Sequence, residues 1–148
     1  MSTYTQIIYQ IVFSTKHREK TLLKENRSEL YKYIFGILTN KNCKTYQIGG
    51  VEDHIHIICY LHPSISLSNL VKDIKIASNL YIKANKLFPQ FTGWQVGYGA
   101  FTYNIKDKSN LINYVKNQEI HHKSFDSSSE YKKLLVEHDI QYDEKFLL

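Results

Sequence analysis

Two histidines, one residue apart, stand at the start of an apolar run of the chain, His54-Ile55-His56-Ile57-Ile58-Cys59-Tyr60-Leu61. The β-branched residues predict a buried strand, and side chains alternate between the two faces of a strand. His54 and His56 should therefore point to one face, and Ile55 and Ile57 to the other. Two neighbouring imidazoles on a rigid strand can form half of a metal site. The pattern is equally compatible with two hydrogen-bonded histidines on a sheet surface.

A second candidate pair lies on a predicted helix that spans residues 110–122. Tyr114 and Gln118 are four residues apart, which puts them one turn apart on the same helix face. A tyrosine hydroxyl can act as a nucleophile, and an amide oxygen can bind a hard cation. Tyrosines at helical spacing more often belong to a core, so the pattern by itself leaves both roles open.

The rest of the chain predicts the elements that position these groups. Strands are expected at residues 4–14, 45–48, 54–61 and within 92–103, with a turn at Gly49 and Gly50. Helices are expected at 22–39, at 67–85 with a cap from Ser66 or Ser68, and at 128–137. The order β-α-β-β-α-β, followed by helices, predicts an α+β, ferredoxin-like fold with an antiparallel sheet and helices on one face.

Length and composition predict a single globular domain. The chain has 148 residues, of which 43% are hydrophobic and 22% charged, enough for a proper core. We expect a core at about residues 4–124 and an acidic helical tail at 125–148. No apolar run is long enough for a membrane span, and the first six residues show no secretory signal. With only two cysteines, one of them in the apolar strand, the protein is expected to be reduced and cytoplasmic.

Positive charge is concentrated before residue 125. Residues 1–124 hold 16 basic and 8 acidic side chains, whereas residues 125–148 hold 3 and 6. A basic body with twelve tyrosines is compatible with a polyanionic partner whose bases can stack, and also with a solubilising surface. The candidate nucleic-acid contacts are Lys16, Arg18, Lys72, Lys75, Lys116 and His121.

Four segments, in order and spacing, resemble the single-tyrosine transposases of the insertion-sequence 200/605 family, the smallest branch of the HUH endonucleases. They are the first strand with its basic loop (10–18), Asp53-His54-Ile55-His56, the Trp94-Gln95-Val96-Gly97-Tyr98-Gly99-Ala100-Phe101 segment, and Tyr114 to His122. The similarity runs from about residue 4 to 123, and the acidic tail is not part of it.

The resemblance implies a mechanism. His54, His56 and Gln118 would hold Mg²⁺ or Mn²⁺ and leave about three positions open for water and a scissile phosphate. Tyr114 would attack phosphorus, form a 5′-phosphotyrosine link and free a 3′-OH. Its ordinary pKa is about 10, so it would need nearby positive charge to become a phenolate. Asp53 either orients a ligand imidazole or belongs to the turn.

The resemblance also implies the partners. The substrate would be single-stranded DNA with short hairpins at the ends of a mobile element. The protein would be a homodimer in which the tyrosine helix of one subunit completes the histidine site of the other.

Three other functions are open at this stage. A ferredoxin-like sheet also suits a non-catalytic RNA- or single-stranded DNA-binding module, although the Lys/Arg-Gly-Phe/Tyr run of such modules is missing. A hydrolytic zinc enzyme could use His54, His56 and a third histidine such as His121, but an amide oxygen at Gln118 is a poor zinc ligand. A domesticated relative acting on chromosomal repeats would share all the motifs.

Overall fold

A four-stranded antiparallel sheet forms the centre of the protein. The computed structural model describes residues 2–122 and 126–147. The strands are β1, Ile8–Ser14; β2, Lys44–Gly50; β3, His54–Tyr60; and β4, Gly99–Tyr103, in the order β2-β3-β1-β4. The helices are α1, Lys24–Asn40; α2, Leu67–Ala84; α3, Lys108–Lys116; α4, Gln118–His121; and α5, Ser127–Glu137. This arrangement confirms the predicted α+β, ferredoxin-like fold.

The two faces of the sheet are covered by different helices. On one face, Ile55 and Ile57 of β3 pack in the main core with residues of α1 and α2 such as Leu30 and Ile74. On the other face, Ile58 packs with apolar residues of α3, and the residues of β3 that share this face include both histidines. The predicted alternation is confirmed, and the C-terminal helices cover the face that carries the two histidines.

The predicted turn at Gly49 and Gly50 is wrong, because both glycines belong to β2. Gly49 pairs with His56, and Gly50 pairs with Ile55. A Cβ atom on Gly49 would lie 2.3 Å from the backbone carbonyl oxygen of Val115 in α3. The glycine therefore marks a place where a helix backbone approaches a strand too closely for any side chain.

The predicted helix at 110–122 is interrupted at a single residue. Asn117 has φ −102° and ψ 25°, so α3 ends at Lys116 and α4 begins at Gln118. The Asn117 N–H still donates to the Asn113 carbonyl oxygen at 3.0 Å, and asparagine has a low helix propensity. Tyr114 and Gln118 thus lie on two short helices rather than one.

Smaller differences concern element ends. β1 begins at Ile8 rather than at residue 4, and β4 is confined to Gly99–Tyr103. Ser66 caps α2 as predicted, since its Oγ accepts from the Asn69 N–H. The predicted boundary between core and tail, at residues 124 and 125, lies outside the described residues. Both cysteines are buried free thiols, and no described helix is long and apolar enough to cross a membrane.

We predict that Gly49→Ala lowers the free energy of unfolding by about 1–3 kcal/mol, the usual cost of forcing an extra group into a packed interior. The added methyl must push α3 away from β2. Urea denaturation measures the change. The matched control is Gly36→Ala in α1, where no atom lies within 4 Å of the new Cβ and the change should stabilise by about 0.5–1 kcal/mol. Equal effects of the two substitutions would contradict the close approach.

Candidate active site

Four polar side chains, two of them from β3, converge beneath the C-terminal helices. At their centre is Glu130 of α5, which is only 2% exposed. Its Oε1 lies 3.1 Å from His54 Nε2, 3.0 Å from His56 Nε2 and 3.1 Å from His122 Nε2. The two histidines predicted to share a strand face are thus joined by a third histidine and by a carboxylate that the sequence analysis did not name.

Hydrogen bonds fix the orientation of both strand histidines. His54 Nδ1 lies 2.7 Å from Asp53 Oδ1, and Ser127 Oγ donates to the same oxygen at 2.7 Å. A carboxylate can only accept, so His54 Nδ1 carries a hydrogen. His56 Nδ1 lies 2.7 Å from the amide oxygen of Gln10, to which it donates. Both rings therefore aim Nε2 at Glu130.

A proton or a cation is needed between the imidazole Nε2 atoms and Glu130 Oε1. A neutral ring whose Nδ1 donates presents a lone pair at Nε2, and here that lone pair faces a carboxylate oxygen. Burial alone would lower the pKa of His54, but its hydrogen bonds with Asp53 and Glu130 raise that pKa to about 9. Burial lowers the pKa of the fully buried His56. Burial would raise the pKa of Glu130, yet the surrounding imidazoles, His122 first, hold it far below the usual range.

The donor set fits a divalent cation. One ligand atom each from His54, His122 and Glu130 can be chosen so that all lie within 4.8 Å of one another. Imidazole nitrogens and carboxylate oxygens are ligands that Mn²⁺ and similar ions accept. The lone pairs that need a positive partner are the same atoms that would bind such an ion.

Gln118 lies beside the cluster, at the first residue of α4. Its side chain is buried, and its Oε1 lies 3.2 Å from His54 Nε2. Its Nε2 donates to Glu130 Oε2 at 3.0 Å. The amide oxygen is therefore next to a predicted metal ligand, while the amide nitrogen holds the carboxylate. The ligand role of Gln118 stays a prediction.

Tyr114 reaches the same cluster from α3. Its hydroxyl donates a hydrogen bond to Glu130 Oε2, and its ring meets the His56 ring edge-on with centroids 6.1 Å apart. Burial and the contact with Glu130 raise the pKa of Tyr114 above its usual value. The nearest charge is thus negative in this state, the opposite of what phenolate formation needs. The role of Tyr114 as nucleophile stays a prediction.

A cavity adjoins the tyrosine. Its volume is about 430 Å³, and both Tyr114 and Glu130 line it. The remaining walls come from β1, β4, α3, α5 and the residues before α3. The cavity offers room for part of a substrate next to the hydroxyl.

The predicted nucleic-acid contacts come from several elements of the fold. Lys16, Lys72 and Lys116 are exposed, and Arg18 lines a small cavity together with His54. The His121 ring stacks on the Tyr114 ring at a centroid distance of 4.6 Å. A different role is seen for Lys75, whose Nζ donates to the carbonyl oxygens of Gln95 and Gly97. As DNA contacts, all six residues stay predictions.

Glu130 carries a sequence signal that was overlooked. On α5 it lies four residues before Leu134, which is buried, so Glu130 falls on the core-facing stripe of the helix. A charged residue at such a position needs a buried partner, and this makes it a candidate for function.

A known protein family matches about the first four-fifths of the chain. The sequence profile of a family described as "Transposase IS200 like" matches residues 3–118. No protein with a curated description matches the chain. The matched segment contains His54, His56, Tyr114 and Gln118 but ends before Glu130.

Two solved structures are similar in fold. A proposed transposase from Deinococcus radiodurans R1 is 22% identical and has a TM-score of 0.61, with 80% of this chain and 95% of that one covered. A REP-associated tyrosine transposase bound to a REP hairpin is 18% identical and has a TM-score of 0.59, with 82% and 74% covered. At these identities the likeness extends to the fold alone.

In the absence of divalent ions, we predict that the free energy of unfolding falls as the pH rises from 6.5 to 9. The folded protein holds a proton on His54 up to a pKa of about 9, whereas the unfolded chain releases it at about 6.5. The stabilisation is complete below 6.5 and is lost as the pH passes 9. Urea denaturation with a chelator present, repeated across this range, measures the slope.

Glu130→Gln tests whether the charge of Glu130 causes this fall of the free energy of unfolding with pH. It removes the charge of one of the two carboxylates that face His54, while the other titrating groups are kept. The variant should show a shallower fall between pH 6.5 and 9. Identical slopes for the two proteins would mean that the Glu130 charge does not hold the His54 proton.

Proposed function

Because the chain belongs to the IS200-like transposases, we propose that it cuts and rejoins single-stranded DNA through a covalent tyrosine intermediate. One observation carries the proposal: the Tyr114 hydroxyl lies in a buried cluster with His54, His56 and Gln118, beside a cavity of about 430 Å³. A module that only binds RNA has no need of this cluster.

In the proposed reaction, the Tyr114 oxygen attacks the phosphorus of the scissile phosphodiester. The new bond is a 5′-phosphotyrosine, and the bond to the 3′ oxygen breaks to leave a 3′-OH. Attack by a 3′-OH on the phosphotyrosine reverses the exchange and joins two strands. Each step forms one phosphodiester and breaks another, so no nucleotide triphosphate is consumed.

The residues around Tyr114 have separate tasks. His54, His56 and Gln118 would hold Mg²⁺ or Mn²⁺, which when bound polarises and orients the phosphate. Asp53 keeps the His54 ring in position through the 2.7 Å hydrogen bond to Nδ1. Since burial and the contact with Glu130 both raise the pKa of Tyr114, the hydroxyl must be released from that carboxylate before it attacks.

The proposed substrate is single-stranded DNA that carries short hairpins. The excess of basic over acidic side chains in residues 1–124 supports a polyanionic partner. A structural neighbour is a tyrosine transposase bound to a hairpin, which supports the same class of ligand here. The chemistry would be the same for an enzyme of a mobile element and for a domesticated relative.

We predict that Tyr114→Phe abolishes the covalent protein–DNA adduct, with cleavage reduced at least about a thousandfold. The substitution removes one oxygen and should leave the fold and DNA binding intact. The probe is a pool of labelled, hairpin-bearing single-stranded oligonucleotides with Mn²⁺, and the adduct is mapped by mass spectrometry. The control is Tyr142→Phe, at an exposed tyrosine. An adduct that persists in Tyr114→Phe would refute the assignment.

We also propose that the active form is a homodimer with shared sites. Within one chain, α3 and α4 bring Tyr114 and Gln118 to their own His54 and His56. A shared site therefore requires these two helices to be exchanged between subunits.

Mixing two inactive variants tests the exchange. His56→Ala combined with Tyr114→Phe should partly restore cleavage, because one site then pairs the intact strand of one variant with the intact helix of the other. Tyr114→Phe combined with Gln118→Ala should stay inactive, because both lesions lie on the exchanged segment. The variants are co-expressed, and labelled single-stranded DNA reports cleavage. No recovery in the first mixture, with heterodimers shown to be present, would mean that each chain uses its own helices.

A further inference from the structure

Two members of the central cluster lie beyond the segment that the family profile matches. That segment ends at residue 118, whereas His122 follows α4 and Glu130 belongs to α5. Both are nevertheless inside the site. The exposed fractions of the His122 and Glu130 side chains are 10% and 3%, respectively.

The donor atoms of His54, His122 and Glu130 lie close enough together to hold one ion, all within 4.8 Å of one another. His56 joins them through its 3.0 Å contact with Glu130. In an octahedral site with bonds of about 2.1 Å, neighbouring ligand atoms lie about 3.0 Å apart. Glu130 Oε1 lies 3.0 to 3.1 Å from the Nε2 atoms of His54, His56 and His122. The Nδ1 atoms of His54 and His56 are already hydrogen-bonded to Asp53 and Gln10, so Nε2 is the nitrogen that each ring offers to an ion.

The helix that carries Glu130 is held in place by its own contacts. Ser127, at its first turn, donates to Asp53, the residue that orients His54. Leu134 and Leu135 are buried in a cluster with residues of β1 and β4. A carboxylate on a helix docked in this way is held in one position, which a metal ligand requires.

We propose that Glu130 and His122 are metal ligands, so that this chain binds its divalent ion with three imidazoles and a carboxylate. The inference rests on the proposed function and deepens it, because it adds two ligands to the same site. With Gln118 as a fifth donor, one of six positions is left for a phosphate oxygen. Three imidazole nitrogens favour a transition ion such as Mn²⁺ over Mg²⁺.

The test is direct Mn²⁺ binding to the full chain without DNA. The electron paramagnetic resonance signal of free Mn²⁺ falls as the ion is bound, which gives Kd. We expect Glu130→Gln and His122→Asn each to weaken binding about tenfold or more, the scale seen for changes around metal sites. Glu25→Gln is the control, since Glu25 is an exposed acid in the first turn of α1, the helix that packs on the other face of the sheet. It should leave Kd unchanged.

A second readout counts the ligands. Pulsed electron paramagnetic resonance of bound Mn²⁺ should detect three imidazoles in the unmodified chain and two in His122→Asn. If Glu130→Gln does not fold, Glu130→Asp keeps the charge on a shorter side chain, and an intermediate affinity is expected.

Two results would overturn the inference. Unchanged affinity in Glu130→Gln and His122→Asn would leave both residues outside the ligand set. Tighter binding in Glu130→Gln would mean that the carboxylate blocks the ion. In either case the proposed function still stands if His56→Ala loses Mn²⁺ and Tyr114 forms the adduct. The proposed function itself fails if no adduct forms in the unmodified chain.

Discussion

The structure of the site depends on one buried carboxylate, Glu130, whose negative charge must be compensated by its neighbours. A charge with 3% of its surface exposed is tolerated only when partners compensate for the lost water. Glu130 finds those partners in three imidazoles, the Tyr114 hydroxyl and an amide N–H. The partners come from three parts of the chain, so the carboxylate joins β3, α3 and the α4 region to its own helix, α5, around one point.

The two faces of the sheet differ: one belongs to the main core, and the other carries the candidate site. One face is apolar and packs against α1 and α2 in the main core. The other face carries polar residues that are buried and paired, including Gln10 on β1 and the two histidines on β3. A strand in the middle of a sheet can serve both tasks because its side chains alternate. The same period that builds the core therefore delivers both imidazoles to one spot.

Much of this could be predicted from local sequence. Period-two alternation indicated that His54 and His56 share a face, and the order of elements indicated the fold. Glu130 could not be paired with His56 from sequence alone, because the two are 74 residues apart and meet only through the docking of α5. Gly49 was predicted to lie in a turn because the neighbouring sequence gives no sign that the backbone of Val115 packs against it. The break at Asn117 could not be predicted from residue type, because Asn113, four residues earlier, is helical.

The candidate site joins the histidines of β3 to Glu130 on α5, and this connection has a thermodynamic consequence. If Glu130 is a metal ligand, the cation would add its binding free energy to the docking of α5, since it would bind the docked form better. The coupling is reciprocal, so whatever favours docking of α5 also raises the affinity for the cation. In the proposed site, the Ser127 hydroxyl on Asp53 and the leucines of α5 would then help to set the ion-binding constant.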